Sequence, residues 1–294
     1  VADSSLFILH SAFGSLSVMS GSLAGFAAEP ITPRGMVAFA YGTFTRLWLA
    51  QFLTAVLVAV SVLWFFDDSV APTIEKAINN LAGNGEIVSG ELVWHGESPK
   101  VLAEERVLAL DIDLDHSDQI HCTSDVQVEF GRDSIRVFSL PGSLIPGFLD
   151  FYYPDNPPPQ SIPVSRENLD PLWGAWLPEI QAVLLATVTF SLLVLWTVLA
   201  SIYWLPVWLF SFLAGRDLGL LASWRLAGAS LLPGGLLLAL AFFLYDFGVL
   251  DVVQFCFAVS AHLLLAWLYL FVSLLFLPRR AGKATGKNPF VPAK

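Results

Sequence analysis

Five residues in one short stretch hold the chain's densest set of possible ligands. Asp111, Asp113, Asp115 and Asp118 alternate along LDIDLDHSD, with His116 among them. Carboxylates at every second position resemble the opening of a calcium loop, where several oxygens must converge on one hard cation. Such a loop also needs Gly at its sixth position and a bidentate Glu at its twelfth. Counted from Asp111, those positions hold His116 and Cys122. Zinc held by His116, His121 and Cys122 would lack the second cluster that usually completes such a site. Asp111, Asp113, Asp115 and His116 thus stand as metal candidates against a plainer alternative. Ile112 and Leu114 alternate with the acids, so the stretch reads as a half-buried strand with one solvated acidic face.

Two other features invite a functional reading. His262 lies in an apolar run, and an ionisable group inside a bilayer is a functional candidate by default. It has no acidic residue at similar depth in another run, so the expectation is a neutral imidazole hydrogen-bonded to a helix neighbour. Pro233-Gly234-Gly235 interrupts a second run. Unwound helices of this kind form transporter sites, but no matching break occurs elsewhere, so a packing kink is expected. Cys122 and Cys256 are the two cysteines. They fall in different segments and form no disulfide framework. No paired carboxylates, Ser/His pair or metal-ligand pair can be placed in the apolar runs, so neither catalysis nor a cofactor is expected.

The elements that must position these residues belong to a membrane protein. The chain is 55% hydrophobic and 14% charged, with a mean hydropathy of +0.66, against about 25% charged residues in a soluble domain. Leu47–Phe66, Ile180–Trp204, Leu226–Tyr245 and Val252–Leu277 are each long enough to cross a hydrocarbon core of about 30 Å. Helix is expected throughout, because lipid offers backbone amides no partner. Trp64, Trp173, Trp176, Trp204, Trp208 and Tyr245 fall near the ends, where interfacial anchors sit. Ile180–Ala214 is long for one span and short for two. Leu205–Ala214 is therefore expected to be a kinked or interfacial extension, with a tight pair of spans as the alternative.

Residues 67–179 form an acidic insert holding 20 acidic and 6 basic residues, whereas the whole chain carries 25 and 15. Arg34, Arg46, Arg216, Arg225 and the basic tail from Arg279 mark the cytoplasmic side by the positive-inside rule. Four spans with both termini inside then place the insert in the periplasm or outside the cell.

Within the insert, Thr73–Leu81 has helical spacing and Gly83-Asn84-Gly85 should end it. Glu86–His95 offers two strands around Ser89-Gly90. Val126, Val128 and Phe130 alternate, and Ile135–Phe138 answers them across a turn at Gly131–Ser134. Pro154–Pro163 reads as an extended linker. Residues 1–35 are apolar and rich in small residues without a basic start, so a disordered leader or a mispredicted start ahead of Met36 is expected.

Gly85-Glu86-Ile87-Val88-Ser89-Gly90-Glu91-Leu92, Leu110-Asp111-Ile112-Asp113 and Ser223-Trp224-Arg225-Leu226 running into Leu232-Pro233 resemble a bacterial integral-membrane family of unknown function, domain-of-unknown-function family 1189. Some of its members accompany maltodextrin-uptake genes. The resemblance extends over residues 36–278 and implies the topology just described. It brings no catalytic residues.

The expectation is an α-helical polytopic membrane protein with an extracytoplasmic β-rich α+β domain between its first two spans. Its parts are a leader (1–35), a first transmembrane helix (36–66), the acidic domain (67–179), a three-helix membrane domain (180–278) and a basic cytoplasmic tail (279–294). Such a chain reads as a non-enzymatic accessory, scaffold or sensor of the inner membrane. Its partners would be the bilayer and a membrane or extracytoplasmic protein, and no nucleic acid. A small-solute transporter or channel component is the alternative, resting on Pro233 and His262.

Overall fold

A computed structural model describes residues 31–81, 85–116, 122–139, 147–155 and 161–280. Of the sequence expectations, the leader apart from its last residues, the Gly83-Asn84 stop, Asp118, His121 and most of the tail lie outside these residues. The chain divides into two compact units. One comprises residues 1–58, 188–241 and 256–294, and the other residues 59–187 and 242–255.

Four helical stretches are long and apolar enough to cross a membrane: Phe44–Asn79, Arg166–Leu213, Leu220–Asp246 and Val252–Phe276. The first begins as α2 (Phe44–Phe65), loosens into a π turn at Phe66–Val70 and continues as α3 (Ala71–Asn79). A shorter α1 (Pro33–Tyr41) precedes it. Thr32 caps α1, its Oγ1 accepting from the Gly35 amide at 3.1 Å, and Pro33 opens the first turn. Next come α4 (Arg166–Leu213), α5 (Leu220–Ser230), α6 (Leu232–Asp246) and α7 (Val252–Phe276). The stretch around Pro206 is one unbroken helix of 48 residues, not a tight pair of spans. It also starts at Arg166, fourteen residues before the expected Ile180.

In the helical unit, α5 and α6 form the inner element. Leu220–Asp246 is 72% buried in its most apolar window, against 11% for α4 and 17% for α7. Phe190, Val198, Ile202, Leu264 and Leu268 are all at least half exposed on those outer helices. So much apolar surface is far more than a water-exposed monomer usually shows, and it suits a lipid surround.

Glycines let the inner helix pack closely. A Cβ on Gly234 would stand 2.3 Å from the His262 carbonyl oxygen. One on Gly235 would meet Thr54 and the Trp196 ring at 2.8 to 2.9 Å. Pro233-Gly234-Gly235 is therefore a close packing point, where the break after Ser230 also lets Pro233 enter without a lost bond inside a continuous helix. Gln51, 1% exposed, donates from Nε2 to the Gly228 carbonyl at 3.2 Å. Met36 and Phe39 of α1 are fully buried in the same core.

The second unit holds two sheets. The smaller has strand order β2-β1-β8, from β1 (Gly85–Val88), β2 (Glu91–Trp94) and β8 (Ile162–Val164). Ser89 and Gly90 both have positive φ, 51° and 80°, the geometry of a two-residue hairpin turn whose twist matches its strands. The larger sheet has order β3-β4-β5-β6-β7. Its strands are Lys100–Glu104, Leu108–Ile112, Val126–Phe130, Ser134–Ser139 and Gly147–Tyr152. All pairs are antiparallel except β4 with β5. Leu102, Leu110 and Ile112 pack with Leu92 and Trp94 of the smaller sheet and Ala77 of α3 into one core. Ile162 and Pro163, expected in the Pro154–Pro163 linker, belong to strand β8, and Pro163 fits because β8 is an edge.

Candidate functional site

The alternating acids of β4 lie on the second face of the larger sheet. In register across four strands, Asp111 faces Glu129, Glu129 faces Arg136, and Arg136 faces Asp150. The expected solvated face does not exist here. Asp111 is fully buried, Asp113 is 1% exposed and Glu129 is 3% exposed, while Ile112 on the opposite face is buried too. Strand β4 is buried at every position, so neither of its faces is wet. Period-two alternation reports which residues share a face, not whether that face is wet.

Gln127 Nε2 donates to Asp111 Oδ2 at 2.9 Å. Asp111 Oδ1 has no hydrogen bond among the described residues. Burial pushes the Asp111 carboxyl up to about 7; the Gln127 bond opposes this, and nearby Glu129 and Asp113 add to it. Burial likewise raises the Cys122 thiol to about 11, with Asp111 and Glu104 adding to the effect. An inert buried thiol is the consequence. Cys256 is also free, and exposed.

His116 is tied elsewhere. Its Nδ1 is hydrogen-bonded to the Glu129 carboxylate, and its Nε2 lies 3.8 Å from Asp133 Oδ1. The ring rests on Gly131, where a Cβ would approach its Cε1 to 2.1 Å. Asp115 pairs with Arg132 at 3.0 Å at the exposed surface. Asp111, Asp115 and His116 thus have separate tasks, and no group of three His, Cys, Asp or Glu among the described residues could hold a metal ion. His116 and Asp115 clasp the β5–β6 turn through Asp133, Gly131 and Arg132. The Arg132 carbonyl accepts from the Leu92 amide at 2.6 Å, and Tyr153 donates from its hydroxyl to the Gly131 carbonyl at 3.0 Å. This turn joins the two sheets.

Between the sheets, α3 and the start of α4 lies a cavity of about 460 Å³ that the described residues line with apolar groups. Ile74 and Ala77 of α3, Leu110, Ile112, Phe130 and Ile135 of the larger sheet, and Leu169 of α4 are among its walls. Among the described lining residues, Tyr153 and Trp94 carry polar side-chain groups, and both turn those groups away. Tyr153 bonds Gly131, and Trp94 Nε1 donates to the Glu97 carbonyl at 3.2 Å.

A third constellation, invisible to the sequence reading, surrounds the end of α6. Arg106 Nη2 donates to the Tyr245 carbonyl at 2.5 Å and to the Asp246 carbonyl at 3.2 Å. Its guanidinium lies 4.8 Å from the Tyr245 ring centre. Tyr245 donates from its hydroxyl to Asp125 Oδ2 at 2.6 Å. Asp246 accepts from Trp64 Nε1 at 3.1 Å and from the Ser69 hydroxyl at 2.7 Å. A cation on the last carbonyls of a helix satisfies orphan acceptors and complements the helix dipole. Tyr245, expected near a span end as an interfacial anchor, is 4% exposed and takes part in this junction. The one signal was Arg106 itself, a lone cation after Glu104-Glu105.

In the helical unit, His262 is 7% exposed and its Nδ1 donates to the Val259 carbonyl on its own helix. Its Nε2, like Trp196 Nε1, is buried without a hydrogen bond among the described residues.

Comparison with protein-family models, with curated proteins and with solved structures finds no match to the chain.

Proposed function

We propose that the chain is a non-enzymatic, multi-pass protein of the inner membrane, an accessory or sensor whose β unit faces outward and binds a protein partner. The Lys and Arg distribution supports the orientation, with both termini cytoplasmic. One observation carries the binding role. Among the described residues, strand β7 pairs with β6 alone and exposes Leu149, Phe151 and Tyr152 at 63%, 54% and 75%. Soluble sheets normally blunt such an edge with charge, proline or a covering loop. An open edge with apolar side chains is a template for strand addition, in which backbone bonds give affinity and alternate side chains give specificity. The Arg106 junction gives binding a mechanical consequence, because it fastens the β unit to the end of α6 within the same compact unit.

The test is recovery of a co-purifying partner from native membranes. Leu149→Lys with Phe151→Lys should abolish recovery while membrane insertion and β-unit folding persist. Undiminished recovery would refute the edge-strand reading. A solute pathway has less to stand on. His262 is spent on its own helix through Nδ1, and Gly234-Gly235 are occupied by packing.

A further inference from the structure

We infer that the cavity between the two sheets is a binding site for one hydrocarbon chain of a membrane lipid. The walls exclude other chemistry. Among the described residues the cavity is lined by apolar groups, and the Tyr153 hydroxyl and Trp94 Nε1 are committed to backbone carbonyls. A sugar, nucleotide, peptide or metal ion would lose its water there and gain no hydrogen bond. Ordinary small-molecule pockets combine apolar walls with a few fixed polar groups that orient the ligand. Absence of these leaves a ligand recognised by shape and hydrophobicity alone.

Size narrows the class. An apolar cavity of about 150 Å³ takes one benzene, so about 460 Å³ suits a chain on the order of 18 carbons. Single-ring or other small apolar solutes would leave most of it vacant. The sheet also supplies a way in. Ile112, Phe130 and Ile135 stand in register across β4, β5 and β6 and line the cavity. The next residue in that row is Phe151 on the open edge, 54% exposed. An apolar track thus runs from the cavity wall to the rim.

The source follows from the rest of the chain. Four helices apolar enough for a bilayer belong to the same polypeptide, and α3 and α4, which wall the cavity, are continuous with two of them. Lipid is therefore the hydrocarbon at highest local concentration. This last step rests on the membrane reading above; it does not depend on a protein partner at β7.

The test uses the full chain in nanodiscs of phosphatidylethanolamine and phosphatidylglycerol doped with a phospholipid bearing a diazirine on its acyl chain. After illumination, adducts are mapped by peptide mass spectrometry. Adducts are expected on two populations: the exposed faces of α4 and α7, and the cavity residues Ile112, Phe130 and Ile135. Ala77→Trp, which fills the cavity from α3, should remove the second population and spare the first. Should that variant misfold, the unmodified protein still decides. Adducts on the helices with none in the cavity would overturn the inference while leaving the membrane reading intact. Absence of adducts from the helices as well would overturn both.

Discussion

Asp111 should make the β unit's stability depend on pH across an unusual window. Its side chain is fully buried, with one oxygen bonded to Gln127 and the other without a hydrogen bond among the described residues. Burial, helped by the charges of Glu129 and Asp113, lifts its carboxyl from an ordinary 3.8 to about 7. Below the ordinary value both folded and unfolded chains are protonated at this site, and the fold bears no penalty. Between 3.8 and about 7 the unfolded chain releases the proton and the folded chain keeps it, so stability falls as pH rises. Above about 7 both forms are ionised and the fall stops. Across that window one proton is worth about 1.36 kcal/mol for each step of one in pH, which bounds the loss at about 4 kcal/mol.

Asp111→Asn tests this with little change of shape. The amide oxygen still accepts from Gln127, and no ionisable group remains at the buried position. At pH 8 the variant should be more stable than the parent by about 2 to 4 kcal/mol. At pH 4 the two should be nearly equal. Native-state hydrogen exchange of the β4 and β5 amides, in the full chain and corrected for intrinsic rates, reads the local opening energy at each pH. A parent protein whose opening energy is flat from pH 4 to 7 would refute the reasoning. So would an Asn variant that is less stable at pH 8.

Two further substitutions test the junctions. Arg106→Ala removes charged donors from the Tyr245 and Asp246 carbonyls; it should raise exchange at residues 245–250 by the equivalent of about 1.5 to 3 kcal/mol. Arg106→Lys should restore part of this, since a lysine keeps the charge but not the fork. Gly234→Ala places a Cβ at 2.3 Å from the His262 carbonyl oxygen, and overpacking of this kind costs about 1 to 3 kcal/mol. A lower midpoint of thermal unfolding in detergent is the expected reading, whereas an unchanged midpoint would show that the helices can separate freely there.

The sequence and the structure part company where tertiary cover decides. The β1–β2 hairpin was legible because Ser89-Gly90 carries its own turn chemistry, and α3 because its apolar spacing is local. The β5–β6 hairpin was legible for the same reason. Strand β4 was legible as a strand, but its burial was not. Nothing in LDID says that β3 and β5 will flank it or that its acidic side will be covered. The early start of α4 was hidden because Pro171, Gly174 and Pro178 usually argue against a helix, yet Arg166–Leu213 is continuous. The short strands β3, β7 and β8 gave little periodicity to read, and β8 contains a proline.

The cavity and the Arg106 junction were invisible for a different reason. Each is assembled from residues far apart in the chain, such as Ile74 with Ile135 and Arg106 with Tyr245. Pattern reasoning finds groups that share a helix or a strand. It singled out the clustered acids of β4 as metal candidates beside a plain strand face, and the structure divides this region between a buried Gln127 contact, a His116 clasp and an exposed Arg132 pair. The sites with the most to offer a ligand or a partner lie where individually bland residues converge, at an apolar cavity and at an open apolar edge.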